Sequence, residues 1–449
     1  GINAEYGNCM REVINVHVGR AGVQLGACCW ELFCMEHGIR QDGMLSDGQE
    51  NIEQMHTFFG EQKDGQHTPR AVFADLDAEE IDEVKSGPYC RLFPQNQMLS
   101  SSLGGNGNFF RGRGQVCSGL AEETMNSVRR LAEACNGVQG FMLYHAFSGG
   151  AGAGMGSLLL EQLSDGYKDK TRLEVAVHPS EVLASSVLDA YSSVFATHHS
   201  LEHADCTLMF DNDALFDICH RTLGIEQCTY QNINQILAQI VSSATASVRY
   251  DGALNVNLAE FQANHVPFPS IHFLMSSYAP LLNADQSDAE KQTVFAISNA
   301  CFAATHISVK CNPQKGKYMA CSMMYRGDVV PKDVSVSIAH IKTKRTIQFV
   351  DWAPCGYKVG ITYQAPVFLK GDLKKVQRSC TMLHNSTAIS DLFRRSEKKF
   401  DLLFAKKAFL HWFVQEGAEN SDFAEARDGV AQLQKDYIEI ELDQEVEDE

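Results

Sequence analysis

Ser148-Gly149-Gly150-Ala151-Gly152-Ala153-Gly154 is the stretch of this 449-residue sequence that decides the fold. It follows a short apolar run at 141–144 and precedes a helical pattern at 155–167. Small residues between a strand and a helix let the backbone approach a phosphate, and the helix start offers free N–H groups. The stretch is neither a P-loop nor a spaced dinucleotide fingerprint, so a flexible glycine turn remains the alternative.

The order of strand, turn and helix recurs through the first two hundred residues. Apolar runs of strand length lie at 13–18, 71–74, 141–144 and 206–210. Strands that alternate with helices form a parallel sheet covered on both faces. The ligand site of such a sheet lies beyond the carboxyl ends of its strands. The predicted fold class is therefore α/β, with a Rossmann-like nucleotide-binding domain first.

The chain changes character twice after this domain. Segments 271–275, 319–325 and 346–352 resemble strands among helices, which predicts a second α/β domain, and 387–437 carries a helical apolar pattern. The predicted divisions are an N-terminal extension at 1–9, the nucleotide-binding domain at 10–211, an intermediate α/β domain at 212–386, a C-terminal helical domain at 387–438 and an acidic disordered tail at 439–449.

Charge and apolar content exclude several classes of protein. The net charge is −18, and seven of the last eleven residues are acidic. Such a run repels itself and predicts a tail that recruits basic partners, with a merely solubilising terminus as the alternative. Nucleic-acid binding is not expected, because it needs a basic surface. The sequence has no apolar run of membrane-spanning length and no signal pattern, so we expect a cytoplasmic protein without a membrane partner.

The fifteen cysteines are scattered through the chain. The sequence has no pair of C-x-x-C motifs, so a zinc site is not expected. Free buried thiols in a reducing compartment are the expected state.

Two further turns follow predicted strands. Gly19-Arg20-Ala21-Gly22, with Gln24 just beyond it, follows the first strand. Asp75 and Asp77 follow the second strand, where paired carboxylates suit a hydrated magnesium ion. Acidic residues at strand ends are often only solvated caps. The turns nevertheless meet at one edge of the predicted sheet, which favours a binding site.

The motifs, taken in order, resemble the tubulin family. Met10-Arg11-Glu12-Val13 and the turn at 19–24 are similar to the tubulin amino terminus, and 148–154 is similar to its signature loop. The resemblance continues through 243–247, 325–333, 348–352 and 405–412, and it covers about residues 10–437. It implies a GTPase domain of parallel-sheet type, the second α/β domain and C-terminal helices with an acidic tail.

Two segments resemble the α type of tubulin rather than the β type. Segment 363–371 is similar to a longer loop that α-tubulins carry. In segment 251–262, Glu260 has the place of an acid that faces the nucleotide of the next β subunit and promotes its hydrolysis. The alternative for Glu260 is a solvated acid on a helix.

The resemblance also implies a GTP site, residue by residue. Gly19, Arg20, Ala21 and Gln24 would belong to the first turn, and Asp75 and Asp77 would lie near magnesium, with Asp77 as the metal ligand. Ala146, Gly149, Gly150, Ala151 and Gly152 would lie at the phosphates, and Ser185 and Asp189 on the sugar side. Asn212 and Asn234 would read the guanine edge while Tyr230 stacks on the ring, since amides and an aromatic face suit a purine.

The implied function is that of a microtubule subunit. The chain would pair with β-tubulin, hold a structural GTP with magnesium and supply Glu260 across the longitudinal contact. Basic microtubule-associated proteins or motors would bind the acidic tail.

Several residues depart from the family at this site. The family has glutamine at Arg20, threonine at Ala151, serine at Ala146, glutamate at Asp77 and aspartate at about Gly104. Each lost contact is worth about 1 kcal/mol or more when buried, and Arg20 could offset part of that loss by pairing with a phosphate. The alternative function is a specialised, non-hydrolysing structural tubulin with a decayed nucleotide site.

Overall fold

The computed structural model describes residues 11–46, 55–102, 104–180, 182, 184, 186–250, 257–283, 293–344, 347–353, 357–371 and 373–442. The predictions for the extension at 1–9, for Ser185 and for 443–449 of the tail lie outside the described residues.

Twelve strands are present in the described part of the chain. They are β1 (Glu12–Val18), β2 (Phe59–Glu61), β3 (His67–Pro69), β4 (Ala71–Asp75), β5 (Met98–Ser100), β6 (Val138–Ala146), β7 (Thr171–His178), β8 (Cys206–Asp211), β9 (Phe273–Ala279), β10 (Tyr318–Gly327), β11 (Tyr357–Thr362) and β12 (Arg378–Ser386).

Ten of these strands form one sheet, and β2 and β3 form a separate antiparallel pair. The order in the sheet is β11-β10-β12-β9-β8-β7-β6-β1-β4-β5. All pairs from β5 to β9 are parallel, whereas β12 is antiparallel to both of its neighbours. The predicted mixed α/β fold with a mostly parallel sheet is confirmed.

The described part of the chain also contains fifteen α-helices. They are α1 (Gly19–His37), α2 (Ala78–Ser86), α3 (Phe109–Arg113), α4 (Gln115–Ala134), α5 (Gly156–Gly166), α6 (Asp189–His203), α7 (Asn212–Asp217), α8 (Tyr230–Ala244), α9 (Ala246–Arg249), α10 (Leu258–His265), α11 (Val294–Ala300), α12 (Pro331–Lys342), α13 (Ser390–Ala405), α14 (Leu410–Gln415) and α15 (Asn420–Leu442). None of the described helices is long and apolar enough to cross a bilayer.

Apolar side chains on opposite faces of the sheet enter two cores, as the two-residue period of a strand requires. Val13 and Phe73 pack with α1 and α8 on one face. Ile14 and Val72 pack with α4 and α5 on the other. A third core joins α6 to α13 and α15. Because helices cover both faces of the sheet, a ligand site is expected at the carboxyl ends of the parallel strands.

The predicted strand at 346–352 is wrong for the residues that the structure describes there. Phe349 makes an isolated bridge with Tyr318, the first residue of β10. Tyr318 exchanges backbone hydrogen bonds with Gln348 and Val350, and from Cys321 onward β11 takes the same side of β10. The pairing is limited to one residue because β11, which the sequence did not predict, continues the ladder.

The predicted start of the acidic disordered tail, residue 439, is too early in the chain. Helix α15 continues to Leu442, so Glu439 and Glu441 lie in a helix. Tyr437 and Ile440 are buried along its apolar face, and the Lys317 ammonium donates to the Glu441 carbonyl at 2.6 Å. Burial at three-residue spacing and this hydrogen bond extend the helix into the acidic segment.

Candidate functional site

The parallel register aligns the predicted turns at one edge of the sheet. Val18 at the end of β1 pairs with Ala74 of β4. Ala146 at the end of β6 pairs with Val177 of β7, and His178 pairs with Asp211 of β8. Segments 19–22, 75–77 and 147–152 and the start of α7 therefore leave the sheet on the same side.

The small residues at 19–22 form the first turn of α1 instead of a turn before the helix. Gly19 has a φ of +69°, and a Cβ there would lie 2.7 Å from the amide nitrogen of Gly152. The start of α1 thus lies against the phosphate loop, which only glycine allows. The first turn of a helix carries N–H groups without intrahelical acceptors, which suits an anion.

The loop 149–152 also lies directly against the segment at 104–108. A Cβ on Gly150 would lie 2.4 Å from the carbonyl oxygen of Gly105. The loop is the first part of a π-helical turn, Gly149–Met155, which leads directly into α5. Ala146 is buried, and Ala151 is half-buried at the loop. These backbone contacts hold the loop in one position at the end of β6.

Asp189 fixes this loop from the start of α6. Its buried carboxylate accepts hydrogen bonds from the Gly149 and Ser186 N–H groups. Burial raises the pKa of Asp189 above its ordinary value despite these two donors. The resemblance placed Asp189 on the sugar side, and the structure assigns its carboxylate a hydrogen bond with the loop.

Asp75 is a buried carboxylate with an unsatisfied atom. One oxygen accepts from the Asp77 N–H at 3.3 Å, and the other has no hydrogen-bond partner among the residues that the structure describes. Burial, with the nearby charges of Asp77 and Glu80, raises the pKa of Asp75 to about 7. Asp77 is exposed beside it. An unsatisfied carboxylate oxygen next to a second carboxylate fits a hydrated magnesium ion.

Arg20 and Gln24 converge on a residue that the sequence analysis missed. Arg20 Nε lies 2.7 Å from Glu80 Oε1, and Gln24 Nε2 donates to Glu80 Oε2 at 2.8 Å. Glu80 is buried, whereas the Arg20 side chain is 75% exposed. Glu80 lies three residues after the N-cap Asp77, which is the position of a capping-box glutamate. The sequence therefore indicates a helix cap at Glu80 and gives no sign of a role in the site. The pairing of Arg20 with a phosphate stays a prediction.

A cavity of about 570 Å³ opens beside this cluster, between α1, α2 and the start of α8. Gln24, Glu80, Tyr230 and Asn234 line it, together with apolar residues of α1 and α2. Its size is typical of a small-molecule site. Tyr230 is 54% exposed, and its ring meets Phe216 edge-to-face at 5.7 Å. Asn212 begins α7 at the end of β8 and is not part of this lining.

The comparison with known families identifies the two halves of the fold. The model described as Tubulin/FtsZ family, GTPase domain matches residues 12–220, and the model described as Tubulin C-terminal domain matches residues 269–398. The chain is a tubulin-like protein. The first match implies that the chain binds a guanine nucleotide.

Glu260 of this tubulin-like chain lies between the two matched ranges and away from that edge. It belongs to α10, whose Leu258 N–H donates to the side chain of Gln139 at the amino-terminal end of β6. The nine residues of β6 separate this end from the phosphate loop by about 25–30 Å. Glu260 is exposed in a cavity of about 390 Å³ that Phe261, Ser322 and Lys358 also line.

The predicted site residues therefore fall into two groups. Eleven residues lie at the carboxyl edge or in the adjacent cavity: Gly19, Arg20, Ala21, Gln24, Asp75, Asp77, Gly149, Gly150, Ala151, Tyr230 and Asn234. Ala146, Gly152, Asp189 and Asn212 support or border the same edge. Of the predicted site residues that the structure describes, only Glu260 lies at the opposite edge.

Proposed function

We propose that this chain is an α-type tubulin subunit that holds GTP at its own site and completes the GTP site of the next subunit with Glu260. The observation that carries the proposal is the position of Glu260, exposed at the edge opposite the chain's own phosphate loop. Subunits that stack head to tail through unlike surfaces form a contact that repeats without closing. The edge with Glu260 of one chain would then face the nucleotide edge of its neighbour.

The surroundings of Glu260 suit a group that acts on another molecule. Its backbone N–H donates to the Asn257 side chain at 2.8 Å, which caps the helix, and Glu260 itself is exposed. A positioned carboxylate can orient and deprotonate a water that attacks a phosphate. Hydrolysis on the neighbouring subunit would therefore begin only when the contact forms, which couples it to assembly.

At the chain's own site the residues favour retention of the nucleotide. The start of α1 and the loop 149–152 would hold the phosphates, and Asn234 with Tyr230 would hold the base. Asp75 and Asp77 would hold magnesium, largely through water. When bound, the ion neutralises charge on the phosphates.

The proposed partners follow from the same function. The chain would form a heterodimer with β-tubulin in cytoplasmic microtubules. Basic microtubule-associated proteins or motors would bind the acidic carboxyl terminus.

One observation favours the alternative of a non-hydrolysing structural subunit with a decayed site. Arg20 Nε is paired with Glu80, which leaves fewer guanidinium donors to replace the contacts absent at Ala146, Ala151 and Gly104. A decayed site would also lose base recognition, yet Tyr230 and Asn234 still line a cavity of suitable size. We favour the subunit that retains GTP.

Ala151→Thr tests whether the phosphate side has lost a contact. The added hydroxyl can donate to a phosphate, so we expect slower GTP release and a gain of about 1 kcal/mol in nucleotide binding. The measurement is the dissociation rate of labelled GTP from the purified assembly. Ala151→Val, which has the same shape without the hydroxyl, is the control. Equal GTP release from both variants would contradict a missing hydroxyl contact.

Gly104→Asp tests the proposed magnesium site. Gly104 has a φ of +62°, which aspartate tolerates better than most residues, and its Cβ would lie 3.4 Å from Asp77 Oδ1. A third carboxylate beside Asp75 and Asp77 should bind magnesium more tightly. We expect the factor by which magnesium slows GTP release to increase about fivefold. Gly104→Asn keeps the shape without the charge. The same response in both variants would place magnesium elsewhere.

A further inference from the structure

The last turn of α6 carries a cluster of ligand-type side chains outside the nucleotide site. His199, Glu202 and His203 each offer one ligand atom, and the three atoms lie within 4.8 Å of one another. Residues three and four apart lie on the same face of a helix. The rings of His199 and His203 are nearly parallel, with their centroids 6.3 Å apart.

His199 has unused hydrogen-bonding capacity and a fixed ring. Its Nδ1 is buried without a hydrogen-bond partner in the part of the chain that the structure describes. Phe109 stacks against the ring at 5.7 Å and an interplanar angle of 10°. A fixed ring with an unsatisfied nitrogen is suited to hold a metal ion, which binds the neutral form of imidazole.

The charges around the cluster suit a cation. Glu202 contributes a carboxylate, and its Oε2 lies 3.8 Å from His203 Nε2. The cluster is at the carboxyl end of α6, where the helix dipole favours positive charge. Arg113 is the nearby charge that opposes a cation, and its ion pair with Glu161 offsets that charge.

We propose that His199, Glu202 and His203 form a binding site for zinc. Two imidazoles and one carboxylate are a donor set that zinc takes in proteins, with water as the fourth ligand. Imidazole ligands select against magnesium, which prefers oxygen. Glu202 is 51% exposed, so its side chain can move to bring the three atoms to coordination distance. Cysteine spacing gives no sign of this site, because cysteine is not among its ligands.

The site would be separate from the nucleotide. Asp189, which binds the phosphate loop, is the first residue of α6, and His203 is the last. The fifteen residues of the helix place the two ends about 20 Å apart. Zinc would cross-link the final turn of α6 at a distance from the GTP site.

Cobalt(II) titration of the full-length chain tests the proposal, because cobalt replaces zinc and absorbs visible light when four-coordinate. Excess magnesium is kept in the buffer so that oxygen-only sites are occupied. We expect the wild-type chain to develop these absorption bands and to lose them on addition of zinc. His199→Gln and Glu202→Gln should each weaken cobalt binding by at least about tenfold, since even changes outside the ligand shell cost about that much.

His411→Gln is the control, because His411 is an exposed histidine on another helix. It should leave the cobalt bands unchanged. Glu202→Gln alters a half-exposed side chain, so it tests the site even if His199→Gln does not fold. A wild-type chain without four-coordinate bands, or equal binding by the wild type and Glu202→Gln, would overturn the proposal.

Discussion

Glu260→Ala is expected to abolish most of the phosphate release that accompanies assembly with β-tubulin. A positioned general base contributes about 10²- to 10⁴-fold to a rate, and we expect a loss of that size. Helix α10 should persist, because Asn257 caps the backbone N–H of residue 260, which alanine retains. GTP should then remain on the neighbouring subunit, and the polymer should rarely depolymerise. The measurement is phosphate release during polymerisation.

Two variants serve as controls for this effect. Glu260→Gln keeps the size of the side chain but removes its charge, and it should be nearly as defective as Glu260→Ala. Glu123→Ala removes an exposed acid from α4 and should release phosphate at the normal rate. Normal release by Glu260→Ala would reduce Glu260 to a solvated helix acid.

Glu36→Ala is expected to destabilise the fold by about 3–5 kcal/mol, the cost of leaving buried charge unpaired. Glu36 is buried in α1, with its carboxylate oxygens 2.7 Å from Arg249 Nη1 and 2.8 Å from Arg326 Nη1. The Ser242 hydroxyl donates to the same carboxylate. The network joins α1, which begins at the phosphate loop, to α9 and β10 of the second α/β region. The measurement is the midpoint of urea unfolding.

Asp42→Ala is the matched control for Glu36→Ala. Asp42 pairs with Arg40 at 3.8 Å on the surface, and such a pair is worth about 0–1 kcal/mol. If the two variants unfold at the same urea concentration, the buried network does not stabilise the fold as described.

The same network predicts a dependence of stability on pH. Burial alone would raise the pKa of Glu36, but Arg326 and Arg249 outweigh it and lower the pKa to about 2, from 4.5. A lowered pKa in the folded state stabilises the fold above pH 4.5, and that contribution disappears as the pH falls toward 2. We expect Glu36→Ala to flatten the acid limb of a plot of stability against pH. An unchanged acid limb would contradict this account.

The parallel strands were predictable where their side chains are apolar on both faces. β4 is such a strand up to Asp75, and Asp75 at its carboxyl end helped to locate the site. β7 was missed because it carries Glu174, which a sequence pattern places in solvent. The fold buries Glu174 by pairing it with His145, Ser200 and Thr207. Partners so distant along the chain leave no local signal.

The site was predictable as a set of turns but not as a set of contacts. Glycine spacing indicated the phosphate loop, since only small residues allow the approach between Gly19 and Gly152. The partner of Arg20 was not predictable, because Glu80 lies sixty residues away on another helix. The resemblance placed Asp189 beside the nucleotide, but its hydrogen bond with Gly149, forty residues earlier, left no local signal.

The most direct test of the central claim is the nucleotide content of assembled polymer, released by denaturation and separated by chromatography. If the chain retains GTP while Glu260 acts on its neighbour, polymer formed with β-tubulin should yield GTP and GDP in equal amounts. Polymer formed with Glu260→Ala should yield GTP almost alone. GDP alone from the wild-type polymer, or only the nucleotide of the β subunit, would contradict the account.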